Sequence, residues 1–287
     1  MSAKILVTGA TGTIGKALVN ALQAKGAVFA AAVRDEQKAA TVLPAGTPLV
    51  KFDFADPSTF ESATQGVDRV FLLGPPLVTN LEELLSPFIT HLQQKQIRRV
   101  VYIGALGLEL IPEMPFHTRI INRLTADGFE LTVLKPSFFA QNFKNYEWDN
   151  ITKHNITFVV AGSGKVGFID VHDIGASAAA VLTGSGHEGK VYELTGPEAL
   201  THFDAAALLT EITGRTIIYP NPDAQTYTQV LKNAGAPDFV ASYMIRVYSL
   251  IAEGKVNIVN NNVEQLTGRK PATLRDVLVC DFGTPQA

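Results

Sequence analysis

The sequence predicts an α/β fold, a doubly wound parallel sheet with a smaller, mostly helical C-terminal lobe. Three observations point there. Short apolar, β-branched runs alternate with stretches of helical periodicity through the first half of the chain, the pattern of repeated β-α units. Gly9, Gly12 and Gly15 stand three apart where the first apolar run gives way to the first helical pattern. From about residue 196 onward, helical spacing dominates.

Residues 5–8 read as the first strand. Ile14, Leu18 and Leu22 then recur at helical spacing over 14–24. A strand at 28–33 leads to a polar helix at 35–41. Buried strands follow at 49–52, 70–73 and 100–103, separated by helices at 57–64 and 81–96, the latter with Pro87 one turn in. Helix 116–126 and strand 131–134 continue the alternation, and right-handed crossovers place helices on both faces. After Pro136 the rhythm breaks. Residues 138–148 are aromatic-rich, and "AGSGKVG" (161–167) is a glycine-rich turn. A helix at 171–182 and a strand at 190–194 return the chain to the sheet. Helices at 203–213, 224–233 and 239–252 follow. The expected division is a sheet domain of residues 1–137, rejoined by 166–195, and a smaller lobe from 138–165 and 196–287.

The chain has 287 residues and a net charge of −3. No basic face advertises nucleic acid or anionic membrane. The single cysteine, Cys280, excludes an intrachain disulfide and suits a reducing compartment. It lies in the apolar run 277–280 and reads as an inert packing residue. There is no signal-peptide layout, and no apolar run nears the roughly 20 residues that span a bilayer. The expectation is a soluble, cytoplasmic protein.

The glycines answer a specific need. In open α/β sheets, ligands bind beyond the carboxyl ends of the strands. Glycines there permit a tight turn, close approach of backbone to a pyrophosphate, and close packing of helix on strand, while the helix N-terminus offers free N–H groups. Here the spacing is G-x-x-G-x-x-G, it follows a first strand, and it heads a βαβ unit, which is the context a Rossmann-type dinucleotide site requires. The second strand ends in "AAAVRDEQ". Arg34 offers a fork for a 2′-phosphate. Asp35 offers either a ribose partner or a helix N-cap. The reading favours NADP(H) over NAD(H).

These segments together resemble the NmrA-like group of atypical short-chain dehydrogenase/reductases, which includes triphenylmethane reductases and small NADPH-dependent quinone reductases. The resemblance runs over essentially the whole chain. It rests on "VTGATGTIG" (7–15), "VRD" (33–35), "FDFADPSTF" (52–60), "LLGPP" (72–76), "LTVLKPSFFAQNF" (131–143), "FIDVHDIG" (168–175), "YELTGPEALT" (192–201), "NAGAP" (233–237) and "LTGRKPATL" (266–274). It implies that Gly9, Thr11, Gly12, Thr13 and Ile14 cradle the pyrophosphate and that Arg34 takes the 2′-phosphate. Asp53 and Phe54 would flank adenine, and Leu73, Gly74 and Pro75 would line the nicotinamide ribose. Gly104, Ala105, Pro136, Ser137 and Phe138 would border the nicotinamide.

One departure matters. Short-chain dehydrogenases usually carry Tyr-x-x-x-Lys, with the tyrosine as proton donor. Here the lysine position falls on His117 and the tyrosine position on Glu113. His117 is the candidate to bind the ribose or relay a proton; Glu113 sits in a loop. Ordinary alcohol–ketone chemistry is in doubt, whereas hydride delivery to a conjugated acceptor needs only solvent as proton source. Phe139, Phe143, Tyr146 and Trp148 cluster where the chain leaves the sheet and would wall a flat, apolar acceptor. "GSGK" (162–165) lacks the full spacing of a P-loop. His172 and Asp173 read as structural, no G-x-S-x-G elbow exists, and the other histidines lack metal spacing, so no metal is expected. The function expected is an NADPH-dependent reductase of a small apolar conjugated acceptor such as a quinone or triphenylmethane-like dye. The alternative is a non-catalytic NADP(H)-binding sensor acting through a protein partner. A sugar-nucleotide epimerase or dehydratase would need the missing tyrosine. Monomer and homodimer both stay open.

Overall fold

The computed structural model describes residues 4–78 and 80–283. The first half runs β1 (Ile5–Val7), α1 (Thr13–Ala24), β2 (Phe29–Val33), α2 (Glu36–Val42), β3 (Leu49–Lys51), α3 (Phe60–Ala63), β4 (Arg69–Leu72), α4 (Leu81–Gln94), β5 (Arg99–Ile103), α5 (Phe116–Ala126) and β6 (Glu130–Pro136). Then come α6 (Asn142–Asn145), α7 (Trp148–Lys153), α8 (Val171–Thr183), β7 (Val191–Leu194), α9 (His202–Thr213), α10 (Ala224–Asn233), α11 (Asp238–Ala252), α12 (Asn262–Thr267) and α13 (Leu274–Phe282). The seven strands form one sheet in the order β3-β2-β1-β4-β5-β6-β7, and every pairing is parallel.

Strand alternation sorts the core into two layers, because successive side chains point to opposite faces. Ile5, Val7, Ala31, Val33, Phe71, Val101 and Ile103 join Leu18 and Leu22 of α1 and Ile174 and Ala178 of α8. Leu6, Ala30, Val70, Leu72, Val100 and Tyr102 face the other way, onto Phe60 of α3, Leu85 and Phe88 of α4, and Ile120 and Leu124 of α5. A third core gathers Phe143, Ile151, Leu209, Tyr219, Ile251 and Leu278 with Leu106 and Leu108 from the loop after β5.

Two glycine stretches are explained by packing. A Cβ on Gly175 would lie 2.6 Å from the Ala17 carbonyl carbon, so α8 crosses α1 at backbone contact. A Cβ on Gly164 would lie 1.8 Å from the Ile251 carbonyl oxygen, so the turn of "AGSGKVG" presses on the end of α11.

The structure departs from the sequence reading in four places. The expected helix at 57–64 is a 3₁₀ turn (Pro57–Thr59) followed by the single turn of α3, begun by the Asp56 carboxylate accepting the Ser58 N–H. Helices α12 and α13 lie where no element was read. Both are short, and α13 owes its start to a Thr273–Asp276 capping box. Val263 of α12 is buried in the layer formed by α1 and α8, so this segment packs on the sheet and not within the lobe. Finally, Cys280 is exposed, not packed. Helix α13 turns Leu274, Val277 and Leu278 inward, and that phase carries residue 280 to the outer face. Among the described residues no helix is long and apolar enough to cross a membrane.

The α1–α8 contact yields a prediction. Gly175→Val overpacks it and should lower unfolding stability by about 1–3 kcal/mol, read as a reduced urea midpoint with unchanged slope.

Candidate active site

The site is built at the reversal of strand order between β1 and β4, whose carboxyl ends open a crevice. Thr8 ties the two strands together. Its buried Oγ1 accepts the Leu73 N–H at 2.8 Å and lies 3.0 Å from the Phe71 carbonyl oxygen, while its own N–H donates to that carbonyl at 3.1 Å. Gly9 follows with φ +64°, a left-handed conformation that favours glycine. The Gly12 N–H donates to the Gly9 carbonyl at 3.0 Å, and Gly12 precedes α1 with no side-chain cap. A Cβ on Gly15 would lie 2.1 Å from the Gly9 oxygen, so α1 approaches the turn as closely as backbone allows. The first-turn N–H groups at Thr13 and Ile14 have no intrahelical partner. Thr11, Gly12 and Thr13 are exposed, and Ile14 is buried.

At the end of β2 the alternatives separate. The Asp35 carboxylate accepts the Lys38 N–H at 2.9 Å and caps α2. Arg34 is exposed, and its guanidinium has no partner among the described residues. Lys51, which the sequence reading did not single out, reaches over from β3 and donates to the Arg34 carbonyl. The parallel register that sets Val33 beside Lys51 makes that contact. Two cations therefore share this rim. Asp53 organises its own turn by accepting the Ala55 N–H at 3.0 Å. Phe54 packs edge-on against Phe52, with ring centroids 4.8 Å apart.

The adjacent strand ends complete one edge. Leu73 packs against Gly9, and a Cβ on Gly74 would lie 2.6 Å from the Leu81 side chain, so the loop carrying Pro75 is pressed onto α4. Gly104 donates to Leu134 at 2.9 Å, and the Leu106 N–H beyond Ala105 donates to Pro136 at 3.0 Å. The Ser137 N–H is held by the Leu194 carbonyl at 2.8 Å, while its buried Oγ has no protein partner. The ends of β1, β4, β5 and β6 thus gather the glycine turn, Leu73–Gly74, Gly104–Ala105 and Pro136–Phe138 along one margin of the sheet. An exposed glycine turn, an uncommitted arginine and a buried unpaired hydroxyl are what a dinucleotide would use, so the residues fit that group.

His117 lies in the first turn of α5, and its Nδ1 is hydrogen-bonded to the Tyr102 hydroxyl at 2.6 Å. Burial pushes the imidazole down to about 4 and the Tyr102 phenol up from its usual value. At neutral pH the pair is uncharged. Glu113 is exposed and pairs with Arg246 of α11 at 3.2 Å, a contact between the post-β5 loop and the second lobe. The "VHDIG" segment is occupied structurally. Asp170 caps α8 and holds His172, and buried Asp173 binds Arg269 at 2.7 Å and the Ala272 N–H at 2.8 Å.

Beyond Phe138 lies a small aromatic cavity. Phe138, Phe139, Phe143, Phe168 and Tyr248 contribute walls, and Glu147, Thr157 and His202 contribute polar atoms. Of the four aromatics read as acceptor walls, Phe139 and Phe143 line it. Tyr146 is 70% exposed and is not among its walls. Trp148 stacks on Phe282 of α13, with centroids 5.3 Å apart, facing a different depression. Helix α7 begins at Trp148 and carries its ring onto Phe282. Among the described residues, no group of three or more His, Cys, Asp or Glu is placed to hold a metal ion.

Fold and site together define a dinucleotide-binding α/β protein. Residues 9–183 match the NAD(P)H-binding family, and the chain belongs to it. It is 31% identical to the NAD(P)H azoreductase of Xenophilus azovorans over 95% of this chain and 96% of that protein. The crystal structure of the NADPH-dependent quinone oxidoreductase of Escherichia coli complexed with NADPH superposes with a TM-score of 0.86 at 26% identity, covering 96% of this chain and 99% of that one. Triphenylmethane reductase from Citrobacter sp. shares the fold, with a TM-score of 0.86 at 24% identity over 97% and 99% of the two chains. With its sequence relatives the protein shares the class of NAD(P)H-dependent oxidoreductase.

Two outcomes are expected. Gly15→Ala forces α1 away from the Gly9 oxygen and should weaken NAD(P)H binding about 10–100-fold, measured by fluorescence titration. His117 has a folded pKa of about 4, below the ordinary 6.5 it regains on unfolding. Its contribution is therefore complete above pH 6.5 and is lost as pH falls toward 4, on the order of 3 kcal/mol. Urea melts across that window should show the loss, and His117→Gln should flatten it.

Proposed function

We propose that the protein is an NADPH-dependent reductase that passes hydride to a small, apolar, conjugated acceptor of the quinone, azo or triphenylmethane dye type. The observation that carries this reading is that Phe138 and Phe139, which follow the carboxyl end of β6, also line an aromatic cavity. Relatives named for azo compounds and quinones support the acceptor class.

The division of labour follows from the residues. The glycine turn and the α1 amides hold the pyrophosphate. Arg34, with Lys51 beside it, holds the 2′-phosphate; Asp35, spent on capping α2, does not compete for that end. Ser137 offers its free hydroxyl to the nicotinamide end. Bound nicotinamide supplies the hydride. The aromatic walls orient a flat ring and exclude water. His117, neutral and held by Tyr102, serves as a hydrogen-bonding anchor and not as a stored proton. A conjugated acceptor spreads the arriving charge, so protonation from solvent suffices.

NADPH oxidation should be seen with 1,4-naphthoquinone, an azo dye or a triphenylmethane dye. Arg34→Ala should weaken NADPH about 10–100-fold, the range for a charge-assisted phosphate contact, and leave NADH within about twofold. NADPH binding without oxidation of any of the three acceptors would reject the reading.

A further inference from the structure

The cavity behind Phe138 and Phe139 has an unusual floor for an aromatic pocket. Thr157 is fully buried, and its hydroxyl lies beside the Glu147 carboxyl, close enough to favour the ionised form. His202 is 3% exposed, ringed by Phe143, Phe168 and Tyr248, and its Nδ1 has no partner. The Glu147 carboxylate accepts the Phe158 N–H at 2.5 Å and an Asn150 amide hydrogen at 3.3 Å. An orphaned nitrogen, a buried hydroxyl and a carboxyl therefore meet in one cavity with apolar walls. Buried polar atoms are kept without partners only at a cost, and such exceptions call for a reason. The cavity is half open and leaves about 10 Å³ within it, room for one oxygen-sized group.

We infer that this floor is a subsite for a single oxygen substituent of the acceptor, the carbonyl or hydroxyl oxygen at the end of the ring remote from the crevice, bound by Thr157 and His202 with Glu147 beside them. The inference rests on the reductase reading and specifies its acceptor: a planar ring carrying a hydrogen-bonding oxygen at its far end. Thr157 donates its hydroxyl hydrogen, and the neutral His202 presents Nδ1 in whichever tautomer the oxygen requires. Burial pushes Glu147 up to about 7, so a carboxyl hydrogen is also on hand near neutrality. The phenylalanines supply area, and the floor selects for orientation.

The test is equilibrium binding of 1,4-naphthoquinone to the NADP⁺-loaded protein, in which both partners are already oxidised and no hydride is available to transfer. Thr157→Val keeps the shape and removes the hydroxyl. It should weaken naphthoquinone binding about tenfold and leave NADP⁺ binding unchanged. Thr157→Ser, which keeps the hydroxyl, should retain binding. Equal naphthoquinone affinity in wild type and Thr157→Val would overturn the subsite, as would no binding to wild type. Naphthoquinone binding that Thr157→Val weakens, with no NADPH oxidation by wild type, would reject the reductase reading and leave the subsite standing.

Discussion

The close approach of α1 to the β1 turn is the contact on which the site depends. With no Cβ at Gly15, the helix N-terminus settles against the Gly9 oxygen, and Gly9 takes the left-handed conformation that makes the turn. Thr8 then clamps that turn to the end of β4 through Leu73. Each part needs the others. Without the clamp, the two strand ends would share only ladder bonds; without Gly15, the α1 amides would stand away from the crevice. The same helix is held from behind by α8, again at a glycine, so the position of the anion-binding end is over-determined.

Electrostatics at the two ends of the crevice differ in kind. The rim beyond β2 is open, with Arg34 and Lys51 exposed to solvent and ready for a charged group. The interior is uncharged. Burial holds His117 and His202 neutral and moves Glu147 toward neutrality. A site with cations outside and neutral polar atoms inside suits a long charged cofactor that enters at the rim and an apolar partner that meets its far end. It also fits the missing Tyr-x-x-x-Lys pair, since no ionised acid–base couple is assembled at the inner end.

Local signals were legible where spacing along the chain carries them. The β-α alternation, the glycine turn and the strand ends are short-range patterns, and the sheet follows them closely from β1 to β7. The exposed place of Arg34 at the rim was legible because it is the first side chain to leave a strand end. Lys51 was not, since its place beside Arg34 comes from a strand pairing and not from sequence proximity. Helices α12 and α13 were missed because they are short, with little periodicity to detect. The floor of the aromatic cavity gathers Glu147, Thr157 and His202 from three segments, and no spacing rule links them.

By itself the sequence determined the fold class, the dinucleotide turn and the strand ends that border it, because these rest on periodicity and on the conformations that only glycine takes up readily. Tertiary structure decided how the ambiguous residues were spent. Asp35 became a cap, His117 a half-buried partner of Tyr102, Cys280 an outward-facing residue, and only Phe139 and Phe143 of the four aromatics became cavity walls. The reason is physical. Which way a side chain faces depends on helix phase and on what packs against it from distant parts of the chain, and neither is encoded in the residue's immediate neighbours.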